Sequence, residues 1–528
     1  MVHPSKGPTP IKVNRLAHWL SGYDEDETNF LVQGFSKGFY LGFVGECPGI
    51  ESKNLNSALT RPEIIDQKIQ KEISAGRVQG PFENKPFSNL QCSPLGLVEK
   101  KEPGEFRMIH HLSYPENQSI NDGIPPDESF VQYSSISDAI HFIKKCGKGA
   151  FCCKTDIKSA FRIINIHQSQ YQFLGFKWKS KYYFDTCLQF GLSSSCKIFE
   201  RFSTALQWIA QNKLGIPCIS HVLDDFIIVD ISPTQCVYKL KSFLNMCSDI
   251  GVPISLEKTC GPNQVITYLG YELDSTKMEC RLPKEKIVKC VNKIQFAMEQ
   301  SKLTLKQLQS IIGLLNFACN VVLPGRAFLR RLIDLTIGVK KQYYRIRMTK
   351  QVKEDLSVWY DFLSNFNGSS MFLPDIWLSS TELRLYTDAS GAVGYAAVFG
   401  SQWFKGEWND SWRNQNIAVL ELYPIVLAVD VWSKYMANKC ILFNTDNQAL
   451  VHVINKQTAK DKHIMFLLRK LVLICLKFNI YFKAQHLTSK ENLLCDCLSR
   501  SKVNQFLQLA PWADRNPVNI SPLPPFPN

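Results

Sequence analysis

The sequence predicts an α+β protein with several domains, and three observations support this prediction. The chain has 528 residues, of which 45% are hydrophobic, and is too long to fold around a single core. Between residues 150 and 275, short β-rich runs alternate with helical stretches, which is typical of helices packed on a small sheet. A second alternation of strands and helices runs from residue 381 to residue 500. We therefore expect two separate mixed units, connected by segments of other kinds.

Composition and charge narrow the class of protein. Lys and Arg outnumber Asp and Glu by 61 to 47, which suits a polyanionic partner but is also compatible with ordinary solubility. The 18 cysteines form no paired CxxC motifs, so we expect reduced, mostly buried thiols. The chain has no signal-peptide pattern and no apolar run of about 18 residues, the length that a membrane span needs. We expect an intracellular protein, cytoplasmic or nuclear, without a membrane partner.

Local patterns place several elements outside the two mixed units. Pro62 begins a predicted helix in "RPEIIDQKIQKEISAGRV" and Gly76 marks its exit. Turn formers that flank two apolar runs predict a hairpin within residues 80–126. Residues 283–340 carry an amphipathic leucine and isoleucine stripe that predicts helices. The Pro-rich tail, which ends in "SPLPPFPN", is expected to be disordered.

Three carboxylates form a first candidate site. Asp156 ends the apolar run "AFCCKTD", and Asp224 and Asp225 interrupt the apolar segment "SHVLDDFIIV". If the two segments are neighbours in one sheet, the like charges repel and raise each other's pKa unless a cation neutralises them. Oxygen ligands without nearby Cys or His suit Mg²⁺, and pairs of such ions serve nucleotidyl transfer. A solvated Asp-Asp hairpin turn remains the alternative reading of this segment alone.

The order of blocks between residues 93 and 275 resembles the reverse transcriptases of retroelements. The blocks are "SPLGLVEKKEPGEFRMIHHLSYP", "KTDIKSAFR", "LQFGLSSSCKIFERF", "HVLDDFIIV", "GVPISLEKT" and "YLGYEL". The resemblance implies a right-hand polymerase with fingers, palm and thumb. It also implies that Asp156 and Asp224 bind two Mg²⁺ or Mn²⁺ ions, with Asp225 beside them and the Ile157 carbonyl as a backbone ligand.

The same resemblance assigns substrate contacts and exposes two departures from the family pattern. It implies triphosphate binding by Lys100 and Arg107, an aromatic gate at Phe161 that selects deoxynucleotides, contact of Phe190 and Gly191 with the nascent base pair, and a proton-transfer role for Lys258. Val222 stands where the family usually has Tyr, so we expect altered primer or nucleotide contacts with retained chemistry. Cys196 stands where Pro is common, which leaves the local turn geometry open.

A second set of acids lies in the C-terminal mixed unit. Asp388 and Asp446 each end a predicted strand, Glu421 lies near the start of a helix, and Asp496 lies in "NLLCDCLSR". Each acid taken alone is readily explained as a surface or capping residue. Together they resemble the metal-binding carboxylates of a ribonuclease H domain, which holds two Mg²⁺ ions. His486, in "AQHLTSKENLLCDCLSR", is similar to the mobile histidine of that family.

The combined resemblance predicts a retrotransposon polymerase, most similar to those of DIRS-type elements, which pair this enzyme with a tyrosine recombinase. Its expected partners are an RNA template, a DNA primer and product, RNA–DNA hybrid, dNTPs and other products of the element. Basic residues from Arg326 to Arg331 are expected to follow the nucleic-acid backbone. The alternative is a domesticated, inactive relative that only binds nucleic acid.

This prediction also divides the chain. We expect an N-terminal extension at 1–85, fingers and palm at 86–280, a thumb-like helical region at 281–340, a connection at 341–380, a ribonuclease H-like domain at 381–500 and the disordered tail at 501–528.

Overall fold

The structure is a computed structural model that describes residues 6–100, 104–365, 370–371, 377–437, 439–478, 480–486 and 492–525. The chain divides into two compact units, Met1–Met278 and Glu279–Asn528. No helix in the described ranges is long and apolar enough to cross a membrane.

The first unit combines helices with several small sheets. Its described helices are α1 (Val13–Trp19), α2 (Glu25–Lys37), α3 (Asn56–Leu59), α4 (Pro62–Ser74), α5 (Pro126–Ser129), α6 (Ile136–Cys146), α7 (Ser195–Asn212) and α8 (Pro233–Ile250). Its described strands are β1 (Val78–Phe82), β2 (Leu95–Glu99), β3 (Phe106–His110), β4 (Phe151–Asp156), β5 (Gly175–Trp178), β6 (Lys181–Asp185), β7 (Ile219–Val222), β8 (Asp225–Asp230), β9 (Cys260–Asn263), β10 (Val265–Tyr268) and β11 (Tyr271–Asp274). The predicted helix from Pro62 is confirmed as α4, and Gly76 follows it with φ 70°.

A four-stranded sheet with the order β7-β8-β4-β9 forms the centre of this unit. Strand β8 pairs antiparallel with both β7 and β4, so the two apolar segments predicted as strands are neighbours. Helices α7 and α8 contribute Phe199, Phe202 and Phe243 to the large core that also contains Phe226 and Ile228 of β8. Buried aliphatic and aromatic side chains on both helices therefore hold the strands that carry the first set of acids.

The N-terminal segment shares this core. Leu16 of α1 and Leu31 and Phe35 of α2 are fully buried in the same cluster as the residues of α7 and α8. The segment predicted as an N-terminal extension is therefore packed into the first unit. A smaller cluster, which includes Ile65 of α4 and Phe176 of β5, lies beside the β2–β3 hairpin and the sheet with the order β1-β6-β5.

The second unit contains the remaining elements. Its described helices are α9 (Lys284–Glu299), α10 (Leu305–Ala318), α11 (Arg330–Asp334), α12 (Lys350–Asn365), α13 (Ser380–Leu383), α14 (Asp410–Arg413), α15 (Ile417–Met436), α16 (Gln448–Lys456), α17 (Lys462–Lys477), α18 (Leu493–Ser499) and α19 (Val503–Leu509). Its described strands are β12 (Glu279–Arg281), β13 (Lys302–Thr304), β14 (Arg345–Arg347), β15 (Ser370–Met371), β16 (Leu378–Ser379), β17 (Leu385–Ala389), β18 (Gly394–Phe399), β19 (Gln402–Glu407), β20 (Cys440–Thr445) and β21 (Tyr481–His486).

The predicted strands and helices of residues 381–500 form around one buried helix. Strands β17, β18 and β19 make an antiparallel meander, and β16, β20 and β21 make a parallel sheet. Helix α15 is predominantly apolar, and its buried residues include Leu422, Val426 and Trp432. Such a helix must be covered on several faces, and it packs against α17 and against β17 and β18.

The tail differs from its prediction of disorder. Residues 503–509 form α19, and Phe506 is fully buried beside Trp403. Further on, Leu523 is only 2% exposed, and its N–H donates to the Tyr423 hydroxyl at 2.8 Å. Helix α19 and its buried Phe506 thus anchor the start of the tail, whereas residues 511–525 form no helix or strand and are mostly exposed apart from Leu523. The last three residues lie outside the described ranges.

Candidate active sites

The first candidate site lies where β4 ends and β8 begins. Asp156 and Asp225 are directly opposite each other in the β4–β8 pair. Asp224 occupies the turn that joins β7 to β8, and its carbonyl accepts from the Ile157 N–H at 3.0 Å. The preceding turn residue, Leu223, has φ 51°, in the left-handed region that non-glycine residues seldom adopt. The structure thus brings Asp156 close to Asp224 and Asp225, which lie almost 70 residues later in the sequence.

A nearby lysine partly offsets the electrostatic repulsion among the three acids. Burial, Asp224 and Asp156 raise the pKa of Asp225 to about 6, and burial and Asp156 raise the pKa of Asp224. The Lys258 ammonium lies 3.0 Å from both carboxylate oxygens of Asp156. Burial opposes the charge of Lys258, but Asp156 outweighs it and raises the pKa of the lysine. Lys258 therefore partly neutralises the acids.

The donor set fits a divalent ion of the Mg²⁺ kind. The carboxylates of Asp156, Asp224 and Asp225 and the Ile157 carbonyl offer only hard oxygen ligands. Among the described residues, no group of three or more His, Cys, Asp or Glu side chains is already arranged to hold a metal ion. One of these potential ligands, Asp156, is paired with Lys258.

Three of the predicted substrate contacts, Phe161, Phe190 and Arg107, form a stack that we call the aromatic column. The ring of Phe161 is 7% exposed, and its centroid lies 5.0 Å from that of Phe190, which is 42% exposed. The Arg107 guanidinium lies 5.6 Å from the centre of the Phe190 ring. Gly191 has φ 94°, and its carbonyl accepts from the Asn121 side chain at 2.8 Å. Glycine suits this position because a side chain there would strain the backbone.

Lys100 is not part of this column. Its ammonium forms an ion pair with Glu105 at 2.7 Å, on the same β2–β3 hairpin. The two departures from the family pattern are both half-buried. Val222 lies at the end of β7, and Cys196 lies in the first turn of α7.

Sequence reasoning missed a buried arginine next to Phe161. The Arg162 guanidinium is 8% exposed and lies 2.7 Å from Glu72 and 2.6 Å from Asp185. It also donates to the Leu188 carbonyl at 3.2 Å, on the segment that leads to Phe190. Arg162 thus links the segment of Phe161 to the segment that leads to Phe190. A charged residue inside the apolar run "AFRII" was the available sequence signal.

The second candidate site is a recessed cavity of about 240 Å³ that all four predicted acids line. Strand β17 supplies Asp388, α15 supplies Glu421, the end of β20 is followed by Asp446, and α18 supplies Asp496. These elements come from four separate parts of the second unit, and only their packing brings the acids to one place.

Burial and mutual repulsion perturb these acids. Burial, Asp446 and Asp388 raise the pKa of Glu421 to about 7, against the weaker effect of a hydrogen bond from Thr445. Burial raises the pKa of Asp388, and Asp496 and Asp446 raise it further. The Ser499 hydroxyl opposes this shift by donating to Asp388 at 2.5 Å. Like the first site, this cavity offers oxygen ligands that suit Mg²⁺.

Polar residues that sequence reasoning did not select complete the cavity. The Asn492 side chain donates to the Thr387 carbonyl at 2.8 Å, and Arg500 forms an ion pair with Asp496 at 2.8 Å. Predicted His486 is exposed at the end of β21, where a ring nitrogen lies 3.1 Å from the Asp446 carbonyl. The four acids were selected together by their resemblance to a ribonuclease H domain, which gave no reason to select Ser499 or Asn492.

The predicted basic cluster is largely neutralised. Arg330 pairs with Asp334 at 2.7 Å, and Arg331 pairs with Asp355 at 3.0 Å. Asp355 is 2% exposed and also pairs with Arg469 of α17 at 3.3 Å. Two of the three arginines expected to follow nucleic acid are therefore engaged within the protein.

Comparison with known proteins identifies the class to which the first site belongs. Residues 98–273 match the family model described as reverse transcriptase (RNA-dependent DNA polymerase). This segment contains the three acids, the aromatic column and Lys258. The chain therefore contains a reverse transcriptase domain of the type found in the Pol polyproteins of retrotransposons and retroviruses, which confirms that part of the resemblance seen in the sequence.

Individual relatives are distant and longer than this chain. Polyprotein P3 of Commelina yellow mottle virus is 22% identical over 430 residues, which cover 78% of this chain and 21% of the relative. The retrovirus-related Pol polyprotein from transposon 297 of Drosophila melanogaster is 22% identical over 471 residues, covering 86% of this chain and 40% of the relative. The chain thus spans well under half the length of these two polyproteins.

Solved structures agree at the level of the fold. The foamy viral protease-reverse transcriptase in complex with RNA/DNA hybrid matches with a TM-score of 0.52 and 17% identity, covering 92% of this chain and 64% of that chain. The foamy viral protease-reverse transcriptase dRH in complex with double-stranded DNA has the same TM-score and identity, and 84% of it is covered. These matches support a mixed α/β polymerase fold.

Proposed function

We propose that the chain is an RNA-directed and DNA-directed DNA polymerase of a retrotransposon that also cleaves the RNA strand of RNA–DNA hybrids. The observation that carries the polymerase proposal is the convergence of Asp156, Asp224 and Asp225 within the matched segment. Binding nucleic acid does not require three acids clustered at one end of a strand pair. A two-metal reaction does require them.

The residues around the acids have distinct tasks in this reaction. Two Mg²⁺ ions, when bound by Asp156, Asp224 and the Ile157 carbonyl, would neutralise the charge that develops as the primer 3′-hydroxyl attacks the α-phosphate of a dNTP. Asp225 would support them. The Arg107 guanidinium would hold the triphosphate, as would Lys100 once released from Glu105. The Phe161 ring would exclude a 2′-hydroxyl, while Phe190 and Gly191 would contact the nascent base pair. Lys258 would give a proton to the pyrophosphate.

Primer extension tests the polymerase proposal. The full chain, an RNA template, a DNA primer, dNTPs and Mg²⁺ should yield extended primer, and an Asp224→Asn variant should not. Product from the wild type that does not exceed that of Asp224→Asn would contradict the proposal and favour an inactive nucleic-acid-binding relative.

We further propose that the second cavity is a ribonuclease H site. Four acids from four elements line one recess of about 240 Å³, and their oxygens suit two Mg²⁺ ions that would activate water against a phosphodiester. His486 would assist the departure of the product. A labelled RNA–DNA hybrid should be cut by the wild type and left intact by Asp388→Asn. Equal cutting by the two proteins would refute the assignment.

The finer placement among DIRS-type elements rests on the block phrasing of the sequence, such as "GEFRMIHHLSYP" and "FGLSSS". On this proposal a tyrosine recombinase from the same element is a partner, and the enzyme acts inside the cell.

A further inference from the structure

An unneutralised basic surface lies on strands β13 and β14 of the second unit. We define the basic ribbon as these two strands with their flanking residues, 300–307 and 336–350. These two segments contain no acidic residue. Their exposed cations are Lys302, Lys306, Lys340, Lys341, Arg345, Arg347 and Lys350.

The strand register places the cations on one face. Lys302 is directly opposite Arg347, and Thr304 is directly opposite Arg345. Because side chains alternate between the two faces of a strand, all four point to the same side. The opposite face carries Leu303, which is 1% exposed, and Ile346, which is half-buried. One side of the ribbon therefore packs on the protein while the other presents cations to solvent.

This arrangement is unfavourable for the isolated protein. Like charges directly opposite each other destabilise a strand pair. In the described part of the chain, no carboxylate pairs with Lys302, Arg345 or Arg347, in contrast to Arg330 and Arg331. An external polyanion would relieve the repulsion.

The ribbon is also hydrogen-bonded to the start of a helix and carries exposed aromatic rings. The N–H groups of Leu305 and Lys306, at the start of α10, donate to the carbonyls of Tyr344 and Gln342 at 2.9 and 3.0 Å. The ribbon is thereby tied to a helix. Tyr343 and Tyr344 are 68% and 47% exposed, and the Lys341 ammonium lies within 6 Å of both rings. Exposed aromatic side chains among cations are typical of surfaces that contact nucleic acid.

We propose that the basic ribbon binds the phosphodiester backbone of a nucleic acid. This contact adds to the proposed polymerase and nuclease functions a specific surface that the sequence-based assignment placed elsewhere, at Arg326 to Arg331. Phosphate contacts release counterions, so each contact contributes to the salt dependence of binding.

Equilibrium binding of labelled probes to the full chain, without dNTPs, tests the proposal. The variant Lys302→Gln/Arg345→Gln/Arg347→Gln removes three cations. The matched control Lys37→Gln/Lys241→Gln/Lys434→Gln removes three exposed cations from other surfaces. Parallel arms use an RNA–DNA hybrid and single-stranded RNA, which differ in the arrangement of their phosphates.

The ribbon variant should bind at least about tenfold more weakly than the control, and the slope of log affinity against log salt should fall by up to about 3. A loss in both arms supports general backbone binding, and a loss in one arm identifies the preferred form. Binding and salt slopes equal to those of the control in both arms would overturn the proposal. Because binding needs no catalysis, a chain that fails to extend primers would contradict the proposed function without affecting this result.

A separate observation concerns the turn that carries Asp224. The N–H of Leu223 donates to Glu200 Oε2 at 3.0 Å, and Glu200, on α7, is only 8% exposed. The other carboxylate oxygen lies 3.2 Å from His221 Nε2. His221 is 3% exposed, its Nδ1 lies 2.6 Å from Gln207 Oε1, and its ring stacks on Phe226. A buried chain of polar groups thus ends at the backbone of a residue in the left-handed conformation.

We propose that Glu200 is a positioning residue that fixes the Leu223–Asp224 turn for the proposed polymerase reaction. Burying a carboxylate is costly unless it is paired or hydrogen-bonded, and here one oxygen accepts from the Leu223 N–H while the other lies 3.2 Å from His221 Nε2. Releasing the Leu223 N–H would free a strained turn and displace the acid next to it.

Two substitutions of similar size separate positioning from simple burial. Glu200→Gln keeps an oxygen that accepts from Leu223 and an amide that can face His221, whereas Glu200→Leu removes the acceptor. Primer extension by Glu200→Leu should lose about a hundredfold in kcat, the scale of a 1 Å misplacement, with the KM for primer–template unchanged. Glu200→Gln should retain activity within about threefold of the wild type. Equal loss in both variants, or none in Glu200→Leu, would overturn the proposal.

Hydrogen exchange supplies a readout that does not depend on activity. The amide of Leu223, followed by mass spectrometry in a peptide spanning residues 219–226, should exchange faster in Glu200→Leu than in Glu200→Gln or the wild type. Unchanged exchange in Glu200→Leu would refute the positioning role, even for a chain without polymerase activity.

Discussion

The two acidic sites face the same electrostatic problem and handle it differently. In the first unit, acids on adjacent strands and their connecting turn are countered by the Lys258 ammonium, 3.0 Å from Asp156. In the second unit, the acids lie in a recess where burial raises the pKa of Glu421 to about 7 and a serine hydroxyl supports Asp388. The difference is one of degree, because the pKa of Asp225 is also raised, to about 6, at the first site, and Arg500 pairs with Asp496 at the second.

On the proposed function, the two sites would respond differently to their metal ions. Cations that reach the first site would compete with the Lys258 ammonium for Asp156. Cations at either site would displace protons, from Asp225 at the first and from Glu421 at the second, so binding would also depend on pH. The two sites should therefore be separable by mutation.

The largest expected effect is a double dissociation. Asp224→Asn should lower primer extension at least about a thousandfold, as expected when a member of a catalytic unit is removed, and leave hybrid cleavage intact. Asp388→Asn should do the reverse. Both activities are measured on the same preparations with a labelled primer on an RNA template. Loss of both activities in either variant would show that the two sites are not independent.

A second prediction concerns Asp355, a buried acid that pairs with two arginines, in contrast to the clustered acids of the two sites. Asp355 lies between Arg331 and Arg469, so Asp355→Ala leaves two partly buried guanidinium groups without their partner. We expect it to destabilise the second unit by about 3–5 kcal/mol. Chemical denaturation measures this loss, with Asp361→Ala, at another position of α12, as the control. A loss below about 1 kcal/mol would show that this ion pair network contributes little.

Sequence reasoning succeeded where local pattern and chemistry coincide. Apolar runs on both sides of "DD" predicted two strands, and the β4–β8 register indeed places Asp156 opposite Asp225. Asp388 and Asp446 were recognisable for the same reason, because strand ends are positions that a period-two pattern can locate. Glu421 and Asp496 lie on helices and were selected by the resemblance alone.

It failed where a long-range partner decides the role of a residue. Arg162 is fixed by Glu72, 90 residues away, and Arg331 is neutralised by Asp355, 24 residues away. A run of basic residues in sequence does not reveal which cations remain free after folding. Strands β13 and β14 carry Lys302, Arg345 and Arg347, which have no carboxylate partner in the described part of the chain. Each strand has only three residues, which is too short for a clear periodic signal.

A third prediction concerns pH and the metal-free protein. The pKa of Glu421 is about 7 in the folded chain, above its ordinary value of 4.5, so the folded state binds more protons than the unfolded state between these values. The stability of the second unit should therefore fall as pH rises from about 4.5 to 7 and then level off, by roughly 1–2 kcal/mol after allowance for solvent exposure.

Thermal unfolding in a chelator measures this dependence. Glu421→Gln should abolish most of the slope and raise Tm at pH 7.5, because it removes a charge that the fold disfavours. Added Mg²⁺ should flatten the wild-type slope. A wild-type slope of the opposite sign would show that Glu421 stays ionised and would remove the contrast with the first site.

The smallest expected effect tests the hydroxyl that supports Asp388. Ser499→Ala removes the 2.5 Å hydrogen bond to Asp388, and we expect hybrid cleavage to fall about tenfold, the lower end for loss of a residue that orients a metal ligand. Primer extension should not change. Ser433→Ala is the matched control, since Ser433 is a similarly buried serine of the same unit, on α15.

The direction of the accompanying pH shift makes this test specific. The hydroxyl lowers the pKa of Asp388, so its removal should raise that pKa and move the acidic limb of the cleavage profile toward higher pH. A loss of rate without this displacement would indicate a packing defect at α18. A displaced limb with Ser499→Ala, but not with Ser433→Ala, would show that the second site depends on hydrogen bonding to keep Asp388 ionised, the task that Lys258 performs by charge at the first.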